Sequence, residues 1–158
     1  MSDAPYRYRF RCLRGQRLKT FLAIAEEIVP PDDAGPGGNT IATAALADWA
    51  ISRLDPDLQK LFLIFLSAWE FMGFLFGAKP FTRLSSKARR RQMHWFERAP
   101  IPPLRTGFFG IRAMVLMGVY CREDVWPSIG YGGPLLFDRA FPDSEARSLQ
   151  KGRVEAAL

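Results

Sequence analysis

Residues 58–77 read LQKLFLIFLSAWEFMGFLFG, and the fold turns on how this stretch is taken. Asp55 and Pro56 just before it are an N-cap and first-turn pair, so a helix begins there. From Leu61 to Phe76 the helix is apolar on nearly every side. A membrane span needs about 20 predominantly apolar residues, but the uninterrupted run here is only Leu61 to Leu66, and Glu70 breaks the wider segment. The ordinary reading is the central helix of a soluble bundle. A helix facing a partner or a membrane interface comes second, and a true span third.

Working outward, the flanks carry more helical signals. Residues 15–29 place Leu18, Phe21, Leu22, Ala25, Ile28 and Val29 at helical spacing, and Pro30 and Pro31 stop the helix at Val29. A turn-rich loop, PPDDAGPGGN, leads into a second helix from about Ile41 to Arg53. Ser85 and Ser86 offer caps for a fourth helix that ends before Pro100, with a basic run expected on its solvated face. A fifth follows Pro102 and Pro103. Its small residues Gly107, Gly110, Ala113 and Gly118 suit close helix packing. Residues 143–156 suggest a short polar tail helix. YRYRFR near the amino terminus is the one alternating stretch, fit for an edge strand or for lying extended on a partner.

The sum is an all-α, single-domain bundle of five or six helices. A basic arm, residues 1–14, precedes a helical domain, residues 15–158. The 158 residues suffice for one hydrophobic core. With 48% hydrophobic and 24% charged residues the composition is globular, not disordered. Thirteen phenylalanines and four tryptophans supply more apolar surface than a small core hides, which points to a partner surface of protein or lipid.

Charge is unevenly placed. The net charge is +6, of which the first twenty residues hold +5 through Arg7, Arg9, Arg11, Arg14, Arg17 and Lys19 against Asp3. Alternating arginines and aromatics there can neutralise phosphates and stack bases. With so little excess charge elsewhere, a protein partner ranks first for the arm, an anionic membrane surface second, and nucleic acid last. Two cysteines, Cys12 and Cys121, make neither a disulfide framework nor a zinc signature; two free thiols in a reduced compartment are expected ahead of a single bridge. The first residues lack the apolar region of a secretory signal, and Arg89, Arg90 and Arg91 lie too far along the chain for a twin-arginine signal. The expected location is cytoplasmic or membrane-associated, with a periplasmic one only if a partner carries the export signal.

Few residues suggest chemistry. His94 is the sole histidine, so paired Glu-x-x-His metal sites are excluded, and it reads as a surface or capping residue. Glu26 and Glu27 point about 100° apart on their helix and do not face each other. Asp32 and Asp33 sit in a loop. Glu70 would have a raised pKa unless paired, but marks more simply the wet edge of its helix. In DVWPSIGYGGP (124–134) the glycines fail as a phosphate loop: no strand precedes, no lysine follows, and no helix opens on the last glycine. They read as a turn, with Trp126 and Tyr131 anchoring it against the bundle or a partner. No catalytic, cofactor-binding or metal-binding residue is assigned.

Three segments together resemble a known family: FLAIAEEIVPPDDAGPG (21–37), PFTRLSSKARRRQMHWFER (80–98) and LRTGFFGIRAMVLMGVYCREDVWPSIGYGGP (104–134). They are similar to the small helical subunit of membrane-associated flavoprotein dehydrogenases, the gluconate 2-dehydrogenase subunit 3 type. They are similar also to the helical region of long-chain alcohol oxidases in the glucose–methanol–choline group. The resemblance implies a non-catalytic subunit whose large partner holds FAD and oxidises an alcohol or sugar, passing electrons to a cytochrome or other acceptor. Small subunits of this type often supply a twin-arginine signal, which this chain lacks. The expected partner-binding residues are Arg7, Arg9 and Arg11 on the arm, Phe71 and Phe74 on the third helix, and Trp126 and Tyr131 in the glycine-rich turn.

Overall fold

The computed structural model describes residues 5–33, 35–133 and 143–157. Among them are six helices: α1 (Gln16–Ile28), α2 (Ile41–Ile51), α3 (Pro56–Gly77), α4 (Ser86–Glu97), α5 (Pro102–Tyr120) and α6 (Ser144–Gln150). Two short strands, β1 (Tyr6–Tyr8) and β2 (Val154–Ala156), pair in parallel with Tyr6 opposite Val154 and Tyr8 opposite Ala156. The chain is an all-α bundle with a small latch of sheet.

Local chemistry sets most boundaries. The Thr40 hydroxyl accepts from the Thr43 amide and starts α2; the Asp55 carboxylate accepts from the Asp57 amide and starts α3, with Pro56 in its first turn. Ser85 and Asp143 cap α4 and α6 in the same way. Ala78 closes α3 in the left-handed conformation. The tail is not helical throughout 143–156. Gly152, at φ 75°, turns the chain after α6, and Val154–Ala156 leave as β2.

The enclosed centre of the bundle is α2, not α3. Alanines 42, 44, 45 and 47 of α2 are buried together with Leu46 and Ile51, so neighbours cover it on every side. Its small side chains let α5 come close: a Cβ at Gly118 of α5 would lie 2.5 Å from the Thr43 carbonyl oxygen. The bulky part of the core gathers around Trp69 of α3. Phe96 of α4 stacks on it at 4.2 Å between ring centroids, Phe108 of α5 at 5.9 Å, and Phe81 meets it edge-on at 5.8 Å. Thus α3 contributes its inner face to the core and leaves its outer face bare.

The amino-terminal arm is stitched to this body. In β1 and the residues after it, Tyr8 and Phe10 are buried while Arg7, Arg9 and Arg11 are exposed, the period-two pattern of a strand, and Leu13 beyond them is buried as well. Asp48, fully buried in α2, accepts from the Tyr8 hydroxyl (2.9 Å) and from the amides of Arg11 (2.7 Å), Cys12 (2.8 Å) and Leu13 (2.5 Å). Four donors around one carboxylate satisfy a charge that would be costly to bury alone. Burial and the nearby Asp48 charge push the Tyr8 phenol well above its ordinary range.

Candidate interaction surface

The outer face of α3 is a stripe of exposed apolar side chains. Leu61, Ile64, Ala68, Phe71 and Leu75 recur at intervals of three and four, which places them on one side of a helix. Phe71 is 70% exposed and Leu75 76%. Leu58 and Phe74 widen the stripe, and the half-exposed Trp95 of α4 extends the apolar surface, packing edge-on against Phe76. Only 22% of the most apolar 18-residue window of α3 is buried. Exposure of this many large apolar groups on one helix is the mark of a surface that something else covers.

The polar frame of the stripe is mostly cationic. Lys60 is exposed on α3 itself, and Arg17 of α1 reaches across to the Ser67 hydroxyl at 3.0 Å. The Arg91 guanidinium of α4 donates to the Phe76 carbonyl. Asp55, which caps the helix, and Asp57 in its first turn lie at the amino end, and Lys79 lies just past the carboxyl end.

The expected partner-binding residues divide among three elements. Phe71 and Phe74 sit together on the exposed face of α3. Arg7 and Arg9 point outward from the arm, but Arg11 holds Glu145 of α6 through two hydrogen bonds of 2.7 and 2.9 Å. The arm aromatics Tyr8 and Phe10 are in the core, so they are not displayed for base stacking. Trp126 also turns inward. It is 8% exposed, and its indole N–H donates to the Tyr120 carbonyl, which makes it an anchor of its own bundle. Tyr131 packs edge-on over Trp126 at 5.3 Å and stays half-exposed.

The glycine-rich turn owes its shape to this anchor. Residues Trp126–Ile129 form a 3-10 turn, Gly130 takes the left-handed conformation at φ 68°, and the Tyr131 amide returns to the Trp126 carbonyl at 3.0 Å. Pro134, the last residue of the motif, lies outside the described residues. Beside the turn is a half-open groove of about 260 Å³, lined by Val29, Pro30, Val119, Tyr120, Val125 and Ile129, with Asp32 and Asp124 at its edge.

The candidates for chemistry are held apart or held fast. Glu70 is not at a wet edge. It is buried, and accepts from Gln16 Nε2 (2.9 Å), the Thr20 hydroxyl (3.0 Å), and the amide (3.2 Å) and hydroxyl (2.6 Å) of Thr82. It ties α1, α3 and the turn at 81–83 together. His94 is exposed, with Nδ1 3.6 Å from Glu97. Among the described residues, no group of three or more His, Cys, Asp or Glu is placed to hold a metal ion. Cys12 and Cys121 are free thiols, and burial raises the pKa of both. In the basic run of α4, Arg89 is turned inward to the Phe81 and Thr82 carbonyls and to Glu26, not displayed to solvent.

Two further polar anchors had no local signature. Asp48 is the single charged residue in IATAALADWAI, which is the only hint of its role. Arg122 is buried and joins Thr40 (2.8 Å) and Thr43 (3.0 Å) of the α2 amino end to Asp124.

No protein-family model, curated protein or solved structure matches this chain.

Proposed function

We propose that this chain is a non-catalytic small subunit that docks on and stabilises a FAD-dependent alcohol or sugar dehydrogenase of the glucose–methanol–choline type. The α3 face carries the reading. A face lined by Leu61, Ile64, Phe71 and Leu75 has the character of an obligate interface, which resembles a core cut in half. The buried polar residues Glu70, Asp48 and Arg122 are consumed in cross-links within the bundle. FAD belongs to the large subunit in this reading, and a cytochrome or other acceptor takes the electrons.

Co-expression with a flavoprotein encoded beside it tests the proposal. A tag on this chain should bring down a yellow, flavin-absorbing complex, and the double variant Phe71→Glu/Leu75→Glu should lose it while keeping its helical circular dichroism. A soluble monomer that ignores every such flavoprotein would overturn the reading.

One observation favours contact with a membrane as a second reading. By length and composition alone, α3 is long and apolar enough to cross one, with mean hydropathy 1.5 over its best window. Its inner face, however, packs Leu66 and Trp69 into the core and hydrogen-bonds Glu70 to α1. That arrangement suits a helix lying on a surface better than one crossing it. Flotation with anionic vesicles, reduced by Phe71→Glu/Leu75→Glu, is the result that this second reading requires.

A further inference from the structure

The central row of the apolar stripe of α3, Leu61 to Leu75, reads alike from either end. Ala68, the smallest member, stands at its centre, with Ile64 and Leu61 on one side and Phe71 and Leu75 on the other. The stripe spans about 21 Å at 1.5 Å per residue. Its end charges are also ordered, carboxylates of Asp55 and Asp57 at the amino end and the Lys79 ammonium beyond the carboxyl end, while Lys60 and Arg17 lie along its flank. Asp57 and Lys79 stand equally far from Ala68 in sequence.

We propose that, when no flavoprotein is bound, two copies of the chain pair antiparallel along α3 about a two-fold axis beside Ala68. A small residue at the crossing point lets the two helices approach closely. The axis brings Leu61 towards Leu75 of the second copy and Ile64 towards Phe71 of the second copy, so each large side chain meets another. It also brings Asp57 towards Lys79 of the second copy and opposes the helix dipoles. A parallel pair would set Asp57 against Asp57 and Lys79 against Lys79. A self-complementary patch of this kind is what an isologous dimer needs. Because the same stripe serves the docking proposed above, and on that reading alone, self-pairing and flavoprotein binding exclude each other. The free subunit thereby hides its own apolar face.

Sedimentation equilibrium of the full chain, expressed without a flavoprotein, is the test. A reversible dimer is expected, and Phe71→Glu/Leu75→Glu should sediment as a monomer with unchanged circular dichroism. Under mild oxidation Ala68→Cys should give a linked dimer whose bond maps to position 68 by peptide mass spectrometry. Leu61→Cys should not link to itself, since antiparallel pairing holds the two positions about 21 Å apart along the axis. A monomer at every concentration overturns the pairing, whether or not it floats with vesicles. So does a dimer that survives the double variant, or a Leu61→Cys self-link, which marks a parallel pair. A flavoprotein captured by a chain that never dimerises defeats the self-pairing alone. A clean antiparallel dimer that captures no flavoprotein upholds the pairing and defeats the proposed function.

Discussion

The two most apolar helices of the molecule, α2 and α3, meet opposite fates. IATAALADWAI is built of small residues and is covered on all sides; the Leu- and Phe-rich α3 is twice as long and bare along one face. Hydrophobicity alone does not choose between them. Size does much of the sorting: alanines let α5 and the arm close around α2 at short range, whereas the rings and branched chains of α3 demand more neighbours than a bundle of this size offers. What α2 hides is a charge, Asp48, and what α3 shows is a surface without one at its centre.

The contrast can be broken first at Asp48. Asp48→Ala leaves four donors without their acceptor, and a loss of about 3–5 kcal/mol in urea unfolding is expected, together with early proteolysis of the arm. A loss below about 1 kcal/mol would mean that the arm is held by its strand alone. Next comes crowding at the tight contact of α5 with α2. Gly118→Val pushes a side chain into the Thr43 backbone and should cost about 1–3 kcal/mol by thermal denaturation. Tyr8→Phe should cost about 1 kcal/mol, since three amides still hold Asp48.

The same phenol adds a pH dependence. Its folded pKa is raised above its unfolded value, so its contribution is whole below about pH 10 and fades as the pH rises beyond that. Tyr8→Phe should therefore flatten part of the alkaline loss of stability. The smallest effect is expected on the outer face of α3, where Phe71→Ser should shift stability by less than about 0.5 kcal/mol at dilutions where the chain is monomeric. A shift several times larger that grows with protein concentration is the mark of self-pairing along α3.

Much of the helical frame can be read locally. Asp55–Pro56, Ser85 and the paired prolines at 30–31 and 102–103 mark ends because capping and the missing proline N–H act within a few residues. The arm strand is likewise visible in the alternation of YRYRFR. What covers each helix is not local. In α3 nearly every position is apolar, so periodicity does not distinguish the face on Trp69 from the face on solvent. Glu70 looked like a wet edge for the same reason: its partners, Gln16, Thr20 and Thr82, come from distant segments or from across a turn. Trp126 illustrates the converse, since a large aromatic in a glycine-rich turn serves an interface or an anchor equally well until its indole finds the Tyr120 carbonyl. Of the candidate surface, Phe71 and Phe74 were readable from composition, while the full stripe from Leu61 to Leu75 required knowing which side the core had taken.

The parallel pairing of β1 with β2 has a bearing on the order of assembly. Residues 6–8 are made early, yet their partners at 154–156 are made after every helix of the bundle. The Asp48 clasp can close as soon as α2 has emerged, because all its donors lie upstream of it. The latch must wait, and its contact is among the most distant in sequence that the chain offers, so closing it is a late step set by loop-closure entropy. Synthesis thus passes through a stage in which the arm is tethered at Tyr8 to Leu13 but its leading edge is an open strand. At that stage a chaperone or a neighbouring chain has the best access to it.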